Sequence, residues 1–87
     1  MTQPSTLQIN AFWDADAAVW VATSDDVPGL ATEAESFESL QRKLRSVVPE
    51  LLVLNQVIAE DYKGPISFEL TSHTRETVEV ASVPIAP

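Results

Sequence analysis

Two pairs of carboxylates are the residues of this sequence that could most readily do chemistry. Asp14 and Asp16 form an Asp-x-Asp pair, and Asp25 and Asp26 are neighbours further along the chain. Carboxylate clusters bind Mg²⁺ and can activate water, so a metal-dependent ribonuclease using Asp25, Asp26 and Glu33 is one alternative. About seven strand residues, roughly 23 Å, separate the two pairs, so they cannot share one ion. We interpret both pairs as turn residues and predict no metal site.

The residue types give less support to nucleophilic catalysis, nucleotide binding or cysteine chemistry. His73 is the single histidine, and no Gly-x-Ser-x-Gly motif presents a serine nucleophile. The two glycines are far apart, whereas a phosphate-binding loop needs them clustered. The absence of cysteine excludes a disulfide framework, a thiolate zinc site and a thiol nucleophile. We therefore expect a protein that is not an enzyme and needs no cofactor.

The charge of the chain indicates which partners it can have. Its 87 residues include 13 acidic and 5 basic side chains, which gives a formal net charge of −8. Such a chain repels phosphate backbones and anionic lipids, so we expect no direct nucleic-acid binding and no membrane attachment. No signal peptide and no long apolar run is visible, and we expect a cytoplasmic protein.

The acidic residues are unevenly distributed. Seven of them precede Arg42, which is the first basic residue of the chain. A surface of one charge sign can attract a partner of the opposite sign, here a basic protein. The residues that we expect to contact this partner are Trp20, Asp25, Asp26, Glu33 and Glu35.

Hydrophobic periodicity predicts the elements that position these residues. Alternating apolar residues predict a hairpin of two strands, a short third strand and a later fourth strand. These strands cover residues 6–13, 18–24, 30–34 and the stretch from Ile66 onward. A polar turn over residues 73–76 follows. A weak fifth strand within residues 77–81 stays open, and residues 82–87 are expected to form a loose tail.

A long helix is predicted between the third and fourth strands. Ser36 is a suitable N-cap, and apolar residues then recur every three or four positions from Phe37 to Leu54. Asn55 is a candidate C-cap. Pro49 lies inside this stripe, and we predict one kinked helix, with two helices and Pro49 opening the second as the alternative.

The second predicted strand is apolar on both faces. Trp20 and Ala22 lie on one face, and Val19 and Val21 lie on the other. A strand of a two-layer domain needs only one apolar face. We expect a second copy of the chain to cover the other, which predicts a homodimer or a higher homo-oligomer.

The order of these elements predicts an α+β fold in a single domain. The domain spans residues 1–87, with its core at about residues 7–72. Three strands form an antiparallel meander, one long helix crosses one face, and the fourth strand lies beside the first.

Several segments of the chain resemble a known family. They are Phe12-Trp13-Asp14, the run Trp20 to Leu30, and Val48 to Asn55, with Asp26-Val27-Pro28-Gly29 as the turn motif. This pattern is similar to the HicB-like antitoxin superfamily, and most similar to a small branch of it described as a domain of unknown function. The resemblance covers about residues 7–72.

The resemblance implies a fold and a function. The fold is a partial ribonuclease-H-like sheet and helix that forms oligomers. The function is neutralisation of a small, basic ribonuclease toxin of the HicA type. Antitoxins of this kind usually carry a DNA-binding domain after the sheet, but the stretch after Leu70 has no helix pattern, so operator binding is not expected. Ala34 stands where the wider family commonly has glycine.

Three hypotheses follow from the sequence. The first is a non-enzymatic interaction module similar to a HicB antitoxin that lacks the DNA-binding domain. The second is the metal-dependent ribonuclease, and the third is a stand-alone oligomeric module.

Overall fold

One sheet and one helix make up the protein, in a computed structural model that describes residues 6–80. The elements in chain order are β1 (Leu7–Asp14), β2 (Val19–Thr23), β3 (Ala31–Ala34), α1 (Phe37–Leu54) and β4 (Phe68–His73). This order confirms the predicted α+β fold of three strands, a helix and a fourth strand. The predicted tail at residues 82–87 lies outside the described residues.

The four strands form a mixed sheet in the order β3-β2-β1-β4. β2 pairs antiparallel with both β1 and β3, which confirms the predicted meander. β4 pairs parallel with β1, with Leu7 opposite Phe68 and Phe12 opposite His73. A parallel pair needs a crossover connection, and α1 provides it.

The core lies between α1 and one face of the sheet, which we call the helix face. Side chains alternate between faces along each strand, so every second residue of β1 points to the helix. Ala22 of β2 and the turn residues Val27 and Leu30 join the same core. Its buried residues are Leu7, Ile9, Ala11, Ala22, Val27, Leu30, Leu40, Leu44, Val48 and Leu52.

Both ends of α1 are capped by the residues that the sequence predicts. Ser36 accepts a hydrogen bond from the Ser39 amide at 3.0 Å, and Glu38 lies in the first turn, where the helix dipole favours an acid. Asn55 is the C-cap. Beyond it, the Val57 amide donates to the Leu52 carbonyl at 2.8 Å, and the Gln56 amide donates to the Val53 carbonyl at 3.0 Å. This pair of bonds is a Schellman motif, and it satisfies carbonyls that the helix end leaves free.

Pro49 lies within a single helix, so the alternative of two helices is wrong. Proline has no amide hydrogen, and the Arg45 carbonyl therefore loses its helical donor. Arg45 is exposed, so water can reach this part of the helix. Water can therefore replace the lost donor, so the freed carbonyl need not stay unpaired.

The end of the sheet differs from the sequence prediction. His73 belongs to β4 and residues 74–76 form no turn, so the polar turn predicted over residues 73–76 is wrong. Pairing with Phe12 of β1 holds His73 in the ladder, and this long-range contact is invisible in the local sequence. Residues 77–80 form no fifth strand in the described part of the chain. Within residues 6–80, no helix has the length and apolar character needed to cross a membrane.

Candidate protein-binding surface

The face of the sheet opposite α1 is the main exposed surface built by the strands, and we call it the open face. Phe12, Val21 and Val19 lie here, because Phe12 pairs with Val21 and Asp14 pairs with Val19 across the hairpin. Phe12 is 41% exposed, and the two valines are partly exposed. These side chains form an apolar centre that no described element of the chain covers.

Acidic residues lie around this apolar centre. Glu33 of β3 is exposed and pairs with Val21, and Asp14 pairs with Val19. Glu69 of β4 lies on the same face, opposite Gln8. None of the four strands contains a lysine or an arginine. The open face therefore combines an apolar centre with an acidic rim.

A basic residue contacts the backbone of Glu33 from the other side of the sheet. Lys43 of α1 reaches over β3, and its Nζ donates to the Glu33 carbonyl oxygen at 2.7 Å. This bond ties the edge strand to the helix and uses the backbone of Glu33, so the Glu33 carboxylate stays available on the open face. Arg42, the preceding residue, contacts Glu38 at 3.6 Å along the helix surface.

Trp20 lies on the helix face and not with the acidic residues. Its ring makes edge-to-face contacts with Trp13 at 5.7 Å and with Phe37 at 5.2 Å between ring centroids. Trp20 is half-buried and packs against the core. The predicted set of Trp20, Asp25, Asp26, Glu33 and Glu35 is therefore not brought together on one surface. Glu33 lies on the open face, and Glu35 is exposed just beyond the end of β3.

Asp26 has a structural contact at the end of the hairpin. Its Oδ2 accepts a hydrogen bond from the Gln8 amide at 2.8 Å. Ser24 completes the link, because its hydroxyl donates to the Gln8 carbonyl at 2.5 Å and accepts from the Asp26 amide at 3.0 Å. Through these hydrogen bonds, Asp26 and Ser24 hold the start of β1 next to the end of β2. Asp25 is exposed beside this link.

The turn motif Asp26-Val27-Pro28-Gly29 contains the first three residues of a type II turn over residues 27–30, which is joined to the helix end. The Leu30 amide donates to the Val27 carbonyl at 3.2 Å, and Gly29 has φ +80° at the third turn position, where a positive φ is required. A Cβ on Gly29 would meet only ordinary contacts, the nearest being Leu51 at 3.7 Å, so the backbone conformation alone demands glycine.

The same turn is fastened to the core from two sides. Val27 is fully buried in the core. Asn55 Nδ2 donates to the Pro28 carbonyl at 3.1 Å and to the Leu51 carbonyl at 2.9 Å. The C-cap of α1 therefore holds the turn as well as the helix end. We call this assembly of Ser24, Asp26, the Pro28–Gly29 turn and Asn55 the clasp.

The first carboxylate pair forms the hairpin turn, as predicted. Asp14 Oδ1 accepts from the Asp16 amide at 3.1 Å and from the Ala17 amide at 3.3 Å. Ala18 then adopts φ 57°, which returns the chain into β2.

The proposed metal ligands of the ribonuclease alternative lie apart. Glu33 pairs with Val21 within the sheet, whereas Asp25 and Asp26 lie beyond Thr23, where β2 ends. Among residues 6–80, no three His, Asp or Glu side chains are grouped as a metal site requires. His73 Nε2 lies 3.3 Å from Asn10 Oδ1 across β4 and β1, on the open face.

Comparison with known proteins gives the chain a family. The model of the family described as "Domain of unknown function (DUF1902)" matches residues 6–82. The chain belongs to the DUF1902 family. This confirms the part of the predicted resemblance that concerned a domain of unknown function.

A solved structure supports the fold of this DUF1902 chain. The crystal structure of hypothetical protein TTHA1013 from the extremely thermophilic bacterium Thermus thermophilus is 46% identical, with a TM-score of 0.66. The match covers 85% of this chain and 99% of that chain. A search of the curated proteins found no match.

Sequence reasoning missed most of the open face of the DUF1902 chain. The sequence predicts Phe12 and Asp14 in the hairpin and Glu69 in the fourth strand, but it does not show that the three share a face. The available signal was that residues at alternate positions of paired strands share a face. Using this signal requires the strand register, in which Phe12 pairs with Val21 and with His73, and the register follows from the topology.

Proposed function

We propose that this protein is a non-enzymatic module that binds a basic protein through the open face. In this proposal it resembles the toxin-binding part of a HicB antitoxin. Its partner is a small, basic ribonuclease toxin of the HicA type, which it neutralises by direct contact.

The composition of the open face is the observation that carries this proposal. Protein interfaces combine an apolar centre containing aromatic residues with a polar rim. Phe12, Val19 and Val21 supply such a centre, and Asp14 and Glu33 supply acids beside it. The four strands lack lysine and arginine, so no cation on them opposes a basic partner.

The proposed mechanism is competition with RNA for a basic surface. The net charge of −8 attracts the toxin over distances of about 8–10 Å at physiological salt, where screening is incomplete. Contact then removes water from the apolar centre. Once the toxin surface is covered, RNA phosphates can no longer reach its lysine and arginine side chains, and cleavage stops.

The five predicted contact residues have different roles in this proposal. Glu33 lies on the binding surface itself, and Glu35 extends its acidic rim beyond β3. Asp26 keeps β1 and β2 aligned through Gln8, so it supports the surface without touching the partner. Trp20 supports the same strands from the helix face, and Asp25 adds to the long-range negative field.

The decisive experiment measures ribonuclease activity of a HicA-type toxin at increasing amounts of this protein. We expect activity to fall to the background level at a molar excess, and binding measured by calorimetry to weaken as salt increases. Unchanged ribonuclease activity at saturating protein would overturn the proposal.

A matched pair of variants locates the surface. Glu33→Lys and Glu50→Lys each change the net charge by the same amount, but Glu50 is an exposed residue of α1. We expect Glu33→Lys to slow association with the toxin several-fold and Glu50→Lys to leave it nearly unchanged, because a charge beside the contact acts mainly on the association rate. Equal effects of the two variants would show that only the overall charge matters.

A further inference from the structure

We propose that two copies of this chain pair through the outer edge of β4, so that the sheets join into one continuous eight-stranded sheet. The proposal goes beyond toxin binding, because it holds whether or not a toxin is bound. It assigns the predicted homo-oligomer to the strand edge and leaves the open face available for another partner.

The outer edge of β4 is the first observation. β4 ends the sheet order, so the described chain offers no strand beyond it. Its six residues contain no proline and no lysine, which are common protections of exposed edges. Phe68 and Leu70 point to the helix face and are only partly buried. The edge therefore offers backbone hydrogen bonds and incompletely covered apolar side chains.

The segment after β4 is the second observation, and we call residues 74–80 the β4 arm. Every residue of the arm is exposed, with Val78 and Val80 at 71% and 81%. No helix, turn or bend interrupts residues 74–79. The arm contains no glycine, proline, asparagine or aspartate. Because these are the usual turn residues, the sequence of residues 74–79 favours no tight turn.

Apolar residues occupy even-numbered positions in the sequence of both β4 and the arm. Phe68 and Leu70 have even numbers and point to the helix face, and the exposed valines are Val78 and Val80. In the proposed pairing the arm is extended through Val80, which has a 3₁₀-helical conformation in the single chain. Extended chain places alternate residues on the same side, so this pairing would bring both valines to the side of the helix face. A partner strand with apolar residues on that side would cover them.

β4 of a second copy has the matching pattern in one antiparallel register. With Thr74 opposite Thr74 of the second copy, Val78 lies opposite Leu70 and Val80 lies opposite Phe68 of that copy. The exchange is reciprocal, as a two-fold interface requires, and both helices lie on the same side of the joined sheet. Each dimer then gains four apolar cross-strand pairs.

Other registers are less favourable. A slip of one residue turns the valines to the wrong face. A slip of two residues in one direction puts Glu76 opposite Leu70, and in the other direction it puts Val78 opposite Ser72. The apolar pairs therefore select the register centred on Thr74.

Charge makes a separate prediction for this dimer. Each copy carries a net charge of −8, and the register places Glu69 opposite Glu79 of the second copy. Added salt screens both repulsions, so the dimer should become tighter as salt increases. Binding of a basic toxin should become weaker under the same change. The direction of the salt effect thus separates this proposal from the proposed function.

Cysteine crosslinking tests the register, because the natural chain contains no cysteine. Directly opposed residues of an antiparallel pair have Cα atoms about 4.5–5.5 Å apart, within the range of a disulfide. We expect Thr74→Cys to form a covalent homodimer rapidly on mild oxidation. Thr71→Cys and Thr77→Cys should each crosslink slowly alone, since like positions are about 20 Å apart, and rapidly when the two variants are mixed.

Thr23→Cys is the matched control for crosslinking. Thr23 is an exposed threonine on the open face, away from β4. Thr74→Cys crosslinking no faster than this control would overturn the proposal. Faster crosslinking at Thr23 would also overturn it, and would indicate a dimer formed through the open face.

Sedimentation of the natural chain gives the second test. We expect a mass of twice 9.5 kDa at micromolar concentration, increasing in population with salt. Val78→Asp and Val80→Asp together should weaken the dimer at least about tenfold, because all four apolar pairs are lost. Both valines are exposed in the single chain, so its fold should be retained. Leu54→Asp, at an apolar residue 75% exposed, is the control and should leave the dimer unchanged. A monomeric natural chain, or equal weakening by Leu54→Asp, would contradict the proposed interface.

Discussion

The helix face and the open face are built by the same four strands, but their side chains differ in burial and charge. On the helix face, Ile9, Ala11 and Ala22 are at most 1% exposed and contact the apolar stripe of α1. On the open face, Phe12 is 41% exposed and acids lie beside the valines. The stability of the fold should therefore come mainly from the first face, whereas the second is available for a partner.

The strongest test of this difference compares one core residue with one open-face residue. Leu44→Ala should lower the free energy of unfolding by about 2–5 kcal/mol, because it leaves a cavity in the buried core. Val21→Ala should lower it by about 1 kcal/mol or less, because Val21 is only partly buried. Urea unfolding measures both values. A loss below about 0.5 kcal/mol for Leu44→Ala would mean that the core is not where the fold places it.

A second comparison concerns the aromatic residues of the two faces. Trp20→Ala should cost about 2–3 kcal/mol in unfolding free energy, because it removes contacts with Trp13 and Phe37. Phe12→Ala should cost clearly less and should act mainly on partner binding. Denaturant unfolding together with toxin-binding calorimetry separates the two outcomes. A larger stability loss for Phe12→Ala would reverse the roles given to the two faces.

The third comparison is between Asp25 and Asp26, two adjacent exposed acids that are expected to contribute differently to stability. Asp26→Ala should destabilise the fold by about 1 kcal/mol, since it removes the acceptor for the Gln8 amide. Asp25→Ala should change stability by no more than about 0.5 kcal/mol, as expected for a surface residue. Thermal unfolding of both variants at one pH gives the test. Equal destabilisation would show that the clasp does not depend on the Asp26 carboxylate.

The smallest change in stability is expected in the hairpin turn that connects β1 and β2, at the end of both faces. Ala18 adopts φ 57°, a conformation that favours glycine. Ala18→Gly should therefore raise the unfolding free energy by about 0.5–1 kcal/mol, after the flexibility of glycine in the unfolded chain is subtracted. Ala17→Gly is the control and should not stabilise. Stabilisation by both substitutions would point to a cause other than the backbone at Ala18.

Local signals are sufficient to predict the helix and the meander. Ser36, the regular apolar spacing and Asn55 predict α1 with both its ends, and each signal acts within a few residues of the place it marks. The turn after Val27 is likewise visible, since proline followed by glycine favours a type II turn.

Contacts between distant residues cannot be read in the same way. His73 has the sequence context of a turn residue, and only its pairing with Phe12 holds it in β4. Trp20 and Glu33 were predicted to share one surface, but they occupy opposite faces of neighbouring strands. Asp25 and Asp26 are indistinguishable in the sequence, and the Gln8 amide separates their roles.

The parallel pairing of β1 with β4 also has a consequence for synthesis on the ribosome. β1 ends at Asp14, whereas β4 ends at His73, so the ribosome must add 59 further residues after β1 before its partner strand β4 is complete. At about 5–20 residues per second, this interval lasts about 3–12 s. Throughout that time the hairpin of the nascent chain exposes the β1 edge that β4 later occupies. A chaperone or a neighbouring nascent chain therefore has several seconds in which to bind it before the sheet is complete.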